Sequence, residues 1–283
     1  MKSRPIIIGV GEILWDILPN GRQVGGAPIN FVYHASKLGA DCYAITAIGN
    51  DSLGDEIMKK VDDIGINHII ERVPYSTGTV NVNLQEGIPN YTINEGVAWD
   101  YIPLTIEMKE LAKRADAICF GTLAQRSEIS RITIQSLLAL VPDTAYRIFD
   151  INLRQHYYSK EIITASLKYC NVLKMNDEEL KLIIAILGIE ADNNIDACDY
   201  LIKTFNLKFL ILTAGADYSA IFTPKTNSFI KTPKVNVIDT IGAGDAFTGS
   251  FISSILKGKM ITEAHDDAVK KSAHVCTQAG AWV

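Results

Sequence analysis

The sequence contains no CxxC pair, no GxxxxGK[ST] motif and no uninterrupted apolar run long enough to span a bilayer. Each absence removes a class of function. The five cysteines (Cys42, Cys119, Cys170, Cys198 and Cys276) are odd in number and scattered, which indicates neither a disulfide framework nor a zinc site. A P-loop enzyme is excluded, and a dinucleotide oxidoreductase is not expected: Phe247 occupies the last glycine position of GxGxxG, and "GVGEIL" fails the same test. Positive charge is not in excess. Lys and Arg number 27 against 32 Asp and Glu, and a net charge of −5 argues against a nucleic-acid or membrane-surface binder. "MKSRPIIIGVGE" lacks the apolar stretch of a signal peptide, so a reduced, cytoplasmic protein is expected.

What is present is a long chain rich in apolar residues. At 283 residues and 48% hydrophobic content it can bury one large core with a small appended module. Ile6–Val10, Tyr43–Gly49, Ala117–Gly121, Tyr146–Ile151, Asn171–Met175 and Phe209–Thr213 read as buried strands. Helical patterns lie between them at Ile29–Leu38, Gly54–Ile64, Pro103–Arg114, Ser127–Leu140, Lys160–Lys168, Asp177–Leu187 and Ile195–Phe205. This alternation predicts an α/β fold with a mostly parallel sheet covered on both faces. Residues 72–101 break the rhythm, since Thr79–Leu84 and Tyr91–Ile93 alternate on either side of the turn-rich "QEGIPN". That is a hairpin signature. With residues 13–24, which hold "LPNGRQVGG", it is expected to form a small β-lid inserted into a single domain spanning 1–283.

The stretch "DTIGAGDAFTGS", Asp239–Ser250, is unusual for a simple helix start. After Gly244 the pattern is helical, so "GAGD" lies at a helix N-terminus, where free N–H groups and the helix dipole attract anions. Asp245 is an anion in the same place. It is either a helix-favourable acid beside a glycine turn or a base that takes a proton from a hydroxyl about to be phosphorylated. A second cluster, "VGGAPIN", leads into a helix whose first turn carries Asn30, with Asp16 upstream; both suit a polyhydroxylated ligand.

Together "GGAPIN" and "DTIGAGDAFTGS" resemble the two signatures of the ribokinase-like (PfkB) carbohydrate kinases, in the same order. "GEILWDILP", "STGTVNVNL…YTINEGVAWD", "FGTLAQRS" and "FDINLR" look most like the fructokinase branch. The resemblance covers essentially the whole chain. It implies a three-layer α/β/α domain with a β-lid, ATP and Mg²⁺, and phosphorylation of a terminal hydroxymethyl, D-fructose being the expected sugar. Ribokinase, 2-keto-3-deoxygluconate kinase, a nucleoside kinase and a silent sugar-binding sensor remain alternatives.

Carried over by motif, Asp245 matches the catalytic base, and Gly242, Ala243 and Gly244 match the backbone anion hole. Asp16, Gly26 and Asn30 match sugar-binding positions, with Arg154 a further contact. Thr213 and Gly215 match the nucleotide turn. Asn176 and Glu179 of "NDEE" match an NxxE element near nucleotide and magnesium, with Glu179 acting through water; the same pair is also a capping box. Asp239 and Ile241, facing "VCTQAGA", match one side of a K⁺ loop, unless Asp239 only caps the turn. A homodimer through exposed lid strands is expected. Trp15, Trp99 and Trp282 are read as core or lid packing, and His34 as a packed or solvated histidine.

Overall fold

The apolar run at the start of the chain folds as an interior strand. A computed structural model describes residues 4–18, 21–85 and 88–283. β1 (Ile6–Val10), β2 (Leu14–Leu18) and β3 (Gly21–Gly25) precede α1 (Ala27–Ser36). Then come β4 (Asp41–Gly49), α2 (Ser52–Ile64), β5 (Asn67–Val73), β6 (Thr79–Gln85) and β7 (Ile88–Ile93). Next are α3 (Ile106–Ala112), β8 (Ala117–Gly121), α4 (Glu128–Leu140), β9 (Tyr146–Asp150), α5 (Lys160–Tyr169) and β10 (Val172–Asn176). α6 (Asp177–Leu187), α7 (Asn194–Phe205), β11 (Phe209–Ala214), β12 (Tyr218–Phe222), β13 (Asn227–Lys231), α8 (Ala243–Leu256) and α9 (Ile261–Cys276) follow.

The main sheet has nine strands in the order β13-β12-β11-β10-β9-β8-β1-β4-β5. It is parallel from β11 to β5, and β12 and β13 add an antiparallel edge. Side chains alternate between two apolar layers, as the period of two dictates. Ile8, Val10, Phe120, Phe149, Leu210 and Leu212 pack toward α3–α7. Ile7, Cys119, Ile148 and Ile211 pack toward α1, α2, α8 and α9. The result is the expected three-layer α/β/α arrangement. β1 lies between β4 and β8, and the chain proceeds outward on both sides of it, so a switch point falls there.

The smaller sheet runs β3-β2-β6-β7, with β2 and β6 parallel. It takes in most of 14–25 and 79–93, a narrower span than the lid limits read from sequence. Arg72 and Val73 end β5 in the main sheet, and Ala98–Tyr101 forms a 3-10 turn whose Trp99 is buried in the core. The turn residues Pro19, Asn20, Glu86 and Gly87 lie outside the described residues. β5, β12 and β13 have no counterpart in the sequence expectations, and of α9 only "EAHDD", Glu263–Asp267, reads as helical, a solvated acidic face. β5 and β13 are edge strands with mixed exposure, so neither shows a clean apolar run. α9 buries mainly Ala264, His265, Ala268 and Val269, a narrow stripe. Its His265 bridges Ser219 and Ser228, while Asp266 and Asp267 pair with Lys270 and Lys259.

Caps set the helix limits. α3 begins at Ile106 rather than Pro103 because Thr105 Oγ1 accepts from Met108 N at 3.2 Å. α1 begins before Ile29, with Pro28 in its first turn, where no intrahelical N–H is lost.

Candidate active site

The parallel strands end on one side of the sheet, and a cleft of about 1330 Å³ opens there, bounded on its far side by residues of the small sheet. Glu12 follows β1, Asn152–Gln155 follow β9, Asn176 ends β10, and Thr213 and Gly215 sit at the end of β11. Asp16 on β2, Gly26 and Asn30 at the start of α1, and Ile241–Asp245 at the start of α8 complete this rim. All the residues singled out from sequence therefore meet in one place except Asp239, which lies just behind it.

Gly26 makes the approach between α1 and the β1–β2 loop. Its φ of 126° is outside the range of most residues, and a Cβ there would stand 2.2 Å from Glu12 O. The close approach brings Asn30 to the cleft floor. Asn30 Nδ2 donates to Asp245 Oδ2 at 2.8 Å, across 215 residues of sequence. Burial pushes Asp245 above the usual carboxylate range, while Lys174, the Asn30 amide and Arg154 hold it down. Asp16 is raised to about 6 by burial, against the pull of Arg154.

At the other end of the cleft, Gly242 takes the left-handed conformation at φ 76°, and a Cβ on it would meet Ala281 Cβ at 2.6 Å. This turn starts α8. Ala243 N donates to Thr240 O at 3.2 Å, so the amides at the start of α8 left without a main-chain acceptor among the described residues are those of Gly242, Gly244 and Asp245. Lys174 Nζ reaches to 3.1 Å of where a Gly244 Cβ would stand. It is buried and pairs with Asp150 at 3.2 Å. Burial pulls its pKa down, but Asp150, Glu179 and Asp245 outweigh that and keep the ammonium charged.

Glu179 and Asn176 form the capping box: Glu179 N donates to Asn176 Oδ1 and Asn176 N to Glu179 Oε2, each at 2.8 Å. Glu179 Oε1 also accepts from Leu153 N at 2.9 Å, because a left-handed residue, Asn152 at φ 44°, turns the chain after β9. Both carboxylate oxygens thus hold main-chain amides, which suits contact with a hydrated ion and not close ligation. Asp239 is engaged likewise: Oδ1 accepts from Ile241 N and Oδ2 from Gly280 N, both at 3.0 Å.

A family model described as "pfkB family carbohydrate kinase" matches residues 20–282. The chain belongs to the pfkB family of carbohydrate kinases. An uncharacterized sugar kinase from Pyrococcus horikoshii is 24% identical over 273 residues, 90% of this chain and 84% of the relative. Its ATP complex has a TM-score of 0.83 at 23% identity, covering 98% of this chain and 94% of that one. An ATP-dependent 6-phosphofructokinase from Thermoanaerobacterium thermosaccharolyticum is 24% identical over 297 residues, 98% of this chain and 89% of its own. A double-mutant fructokinase from Vibrio cholerae, solved with fructose, ADP and potassium ion, has a TM-score of 0.84 at 21% identity over 99% of this chain and 95% of that one. The fold is the one shared by these sugar kinases.

For a member of this family the cleft holds residues that the sequence reading passed over. Glu12 is fully enclosed, its Oε2 has no hydrogen-bond partner, and burial raises it to about 7 against the main-chain amides of Glu12 and Ala27. Lys174 and Asp150 form the ion pair under the glycine turn. A lysine inside the apolar run "NVLKM" and an acid closing the run "IIIGVGE" were the available signals.

Proposed function

We propose that the protein transfers the γ-phosphoryl group of ATP to a terminal hydroxymethyl of a monosaccharide, with D-fructose giving fructose 6-phosphate. The observation that carries this reading is the position of Asp245. One carboxylate stands between open helix amides on one side and Asn30 and Asp16 on the other. A sugar held by Asp16, Asn30, Gly26 and Arg154 has its hydroxymethyl beside Asp245, which takes the hydroxyl proton as the oxygen–phosphorus bond forms and the bond to the ADP leaving group breaks.

The amides of the turn at Gly242, Ala243 and Gly244 and that of Asp245, the α8 dipole and Lys174 offset the charge on the transferring group. Thr213, Gly215 and Asn176 support the nucleotide, and Val235 and Val237 offer apolar surface for its base. Mg²⁺, when bound, supplies charge neutralisation of the phosphates, and the engaged oxygens of Glu179 favour contact with it through water. Closure of the small sheet as a lid excludes water that would otherwise accept the phosphoryl group.

A neutral sugar suits the acceptor end better than a sugar phosphate or sugar acid, since the buried carboxylates Glu12 and Asp16 there share Arg154 as their guanidinium partner among the described residues. A K⁺ role for Asp239 and Ile241 has weaker support because both Asp239 oxygens already bind amides. The free edges β3 and β7 support a homodimer through the small sheet. A reducing, cytoplasmic setting agrees with five free thiols. Among the described residues no helix is long and apolar enough to cross a membrane.

A coupled ATPase assay with fructose, ribose, 2-keto-3-deoxygluconate, adenosine and fructose 6-phosphate tests the reading. Fructose should give the highest kcat/KM. Preference for fructose 6-phosphate would overturn the acceptor assignment, and no turnover with any sugar would favour the sensor.

A further inference from the structure

Trp282 lies outside the cleft lining, yet its indole reaches Asn30, the side chain that hydrogen-bonds Asp245. Trp282 Nε1 donates to Asn30 Oδ1 at 2.9 Å, and Asn30 Nδ2 donates to Asp245 Oδ2 at 2.8 Å. An indole N–H can only donate and a carboxylate can only accept, so the two partners require opposite ends of the same amide. Without the indole, the orientation of the amide rests on Asp245, which when protonated can pair with either end of it.

The segment carrying Trp282 is itself fastened to the two elements it joins. The indole stacks on Tyr33 of α1, with centroids 5.9 Å apart and planes 17° apart. His34 Nε2 donates to Ala281 O at 2.9 Å; burial lowers that histidine to about 4, so the ring is neutral and can serve as donor. Gly280 N donates to Asp239 Oδ2, and Ala281 packs on Gly242. α1 bears Asn30 and the turn at Gly242 leads to Asp245, so this strap spans the two halves of the site.

We propose that Trp282 is a positioning residue: it fixes Asn30 as a donor to Asp245, so that Oδ2 is held and Oδ1 is left for the proton of the acceptor hydroxyl. The inference rests on the reading of Asp245 as the base. The charged groups facing Asp245 are Lys174 on β10, Asp150 on β9, Arg154 after β9 and Glu12 after β1. Trp282 bonds to none of them, so a change at Trp282 isolates the amide.

The test is the pH dependence of kcat in the wild type, Trp282→Phe, Asn30→Ala and the double variant. Phenylalanine keeps a ring against Tyr33 and removes the N–H. A lost donor disfavours the ionised carboxylate, so the acid limb should move up by about one pH unit, roughly a tenfold loss of kcat on the acid side. KM for ATP should stay within about threefold. In the Asn30→Ala background the same substitution should move nothing. A limb that stays in place, or moves as far without Asn30, overturns the proposal alone. A wild-type kcat with no acid limb overturns the base reading and this proposal with it. Should Trp282→Phe not fold, the Trp282 indole resonance in ¹⁵N-labelled protein decides: Asn30→Ala should shift it and hasten its exchange, and an unmoved resonance overturns the proposal.

Discussion

Replacing Glu12 by glutamine should change stability in a way that depends on pH. Glu12 follows β1 at the switch point and is 2% exposed, and burial raises its carboxyl from 4.5 to about 7. A folded-state pKa above the unfolded one means that the native state binds the proton more tightly. Its contribution is therefore fully present below about pH 4.5 and is lost as pH rises through 7. At 1.36 kcal/mol per pH unit, the loss between those limits is about 3 kcal/mol. Glutamine cannot ionise, so the variant escapes it. Any fixed cost of placing an amide N–H at the unpartnered Oε2 position applies at every pH and cancels when the two pH values are compared. Asp16 and Asp150, also raised by burial, titrate in both proteins. Urea unfolding of both at pH 4.5 and pH 8 should show the variant gaining about 3 kcal/mol on the wild type over that interval, or a relative Tm gain of about 6–12 °C. A difference between the proteins that is the same at both pH values would refute the argument, because it would mean that Glu12 ionises as freely in the folded chain as in water.

Asp245→Ala should lower kcat by about 10²–10⁴-fold while nucleotide affinity, measured by calorimetry, stays within a few fold; retention of half the wild-type kcat would remove its role. Asp16→Ala should raise the sugar KM by about 1–3 kcal/mol and leave the ATP KM nearly unchanged, and equal weakening of both would sink the sugar assignment. Because Asp239 already bonds Ile241 N and Gly280 N, replacing K⁺ by tetramethylammonium at constant ionic strength should change kcat less than about twofold. A larger fall would assign a monovalent cation to that loop.

Much of this protein was written in local sequence. The six apolar strands, seven helices and the glycine turn at 242–244 follow from patterns a few residues long: period-two burial, helical stripes, Asn176 and Glu179 as a cap, and glycine at a left-handed position. Those same patterns carried the family resemblance and with it Asp16, Asn30 and Asp245. What local pattern could not decide was which polar groups share a site. Asn30 and Asp245 are 215 residues apart, and Trp282 and Asn30 are 252 apart. Trp282 read as packing because an indole's apolar surface is visible in sequence while the acceptor of its N–H is not. Lys174 and Glu12 sit in otherwise apolar runs, where only the fold shows whether a buried charge has a partner: Lys174 finds Asp150, and one oxygen of Glu12 finds none. The edge strands β5 and β13 escaped for a related reason, since one exposed side relaxes the demand for apolar residues that makes interior strands legible. Burial and charge compensation depend on which segments meet across the switch point of the sheet, and only the tertiary structure brings those segments together.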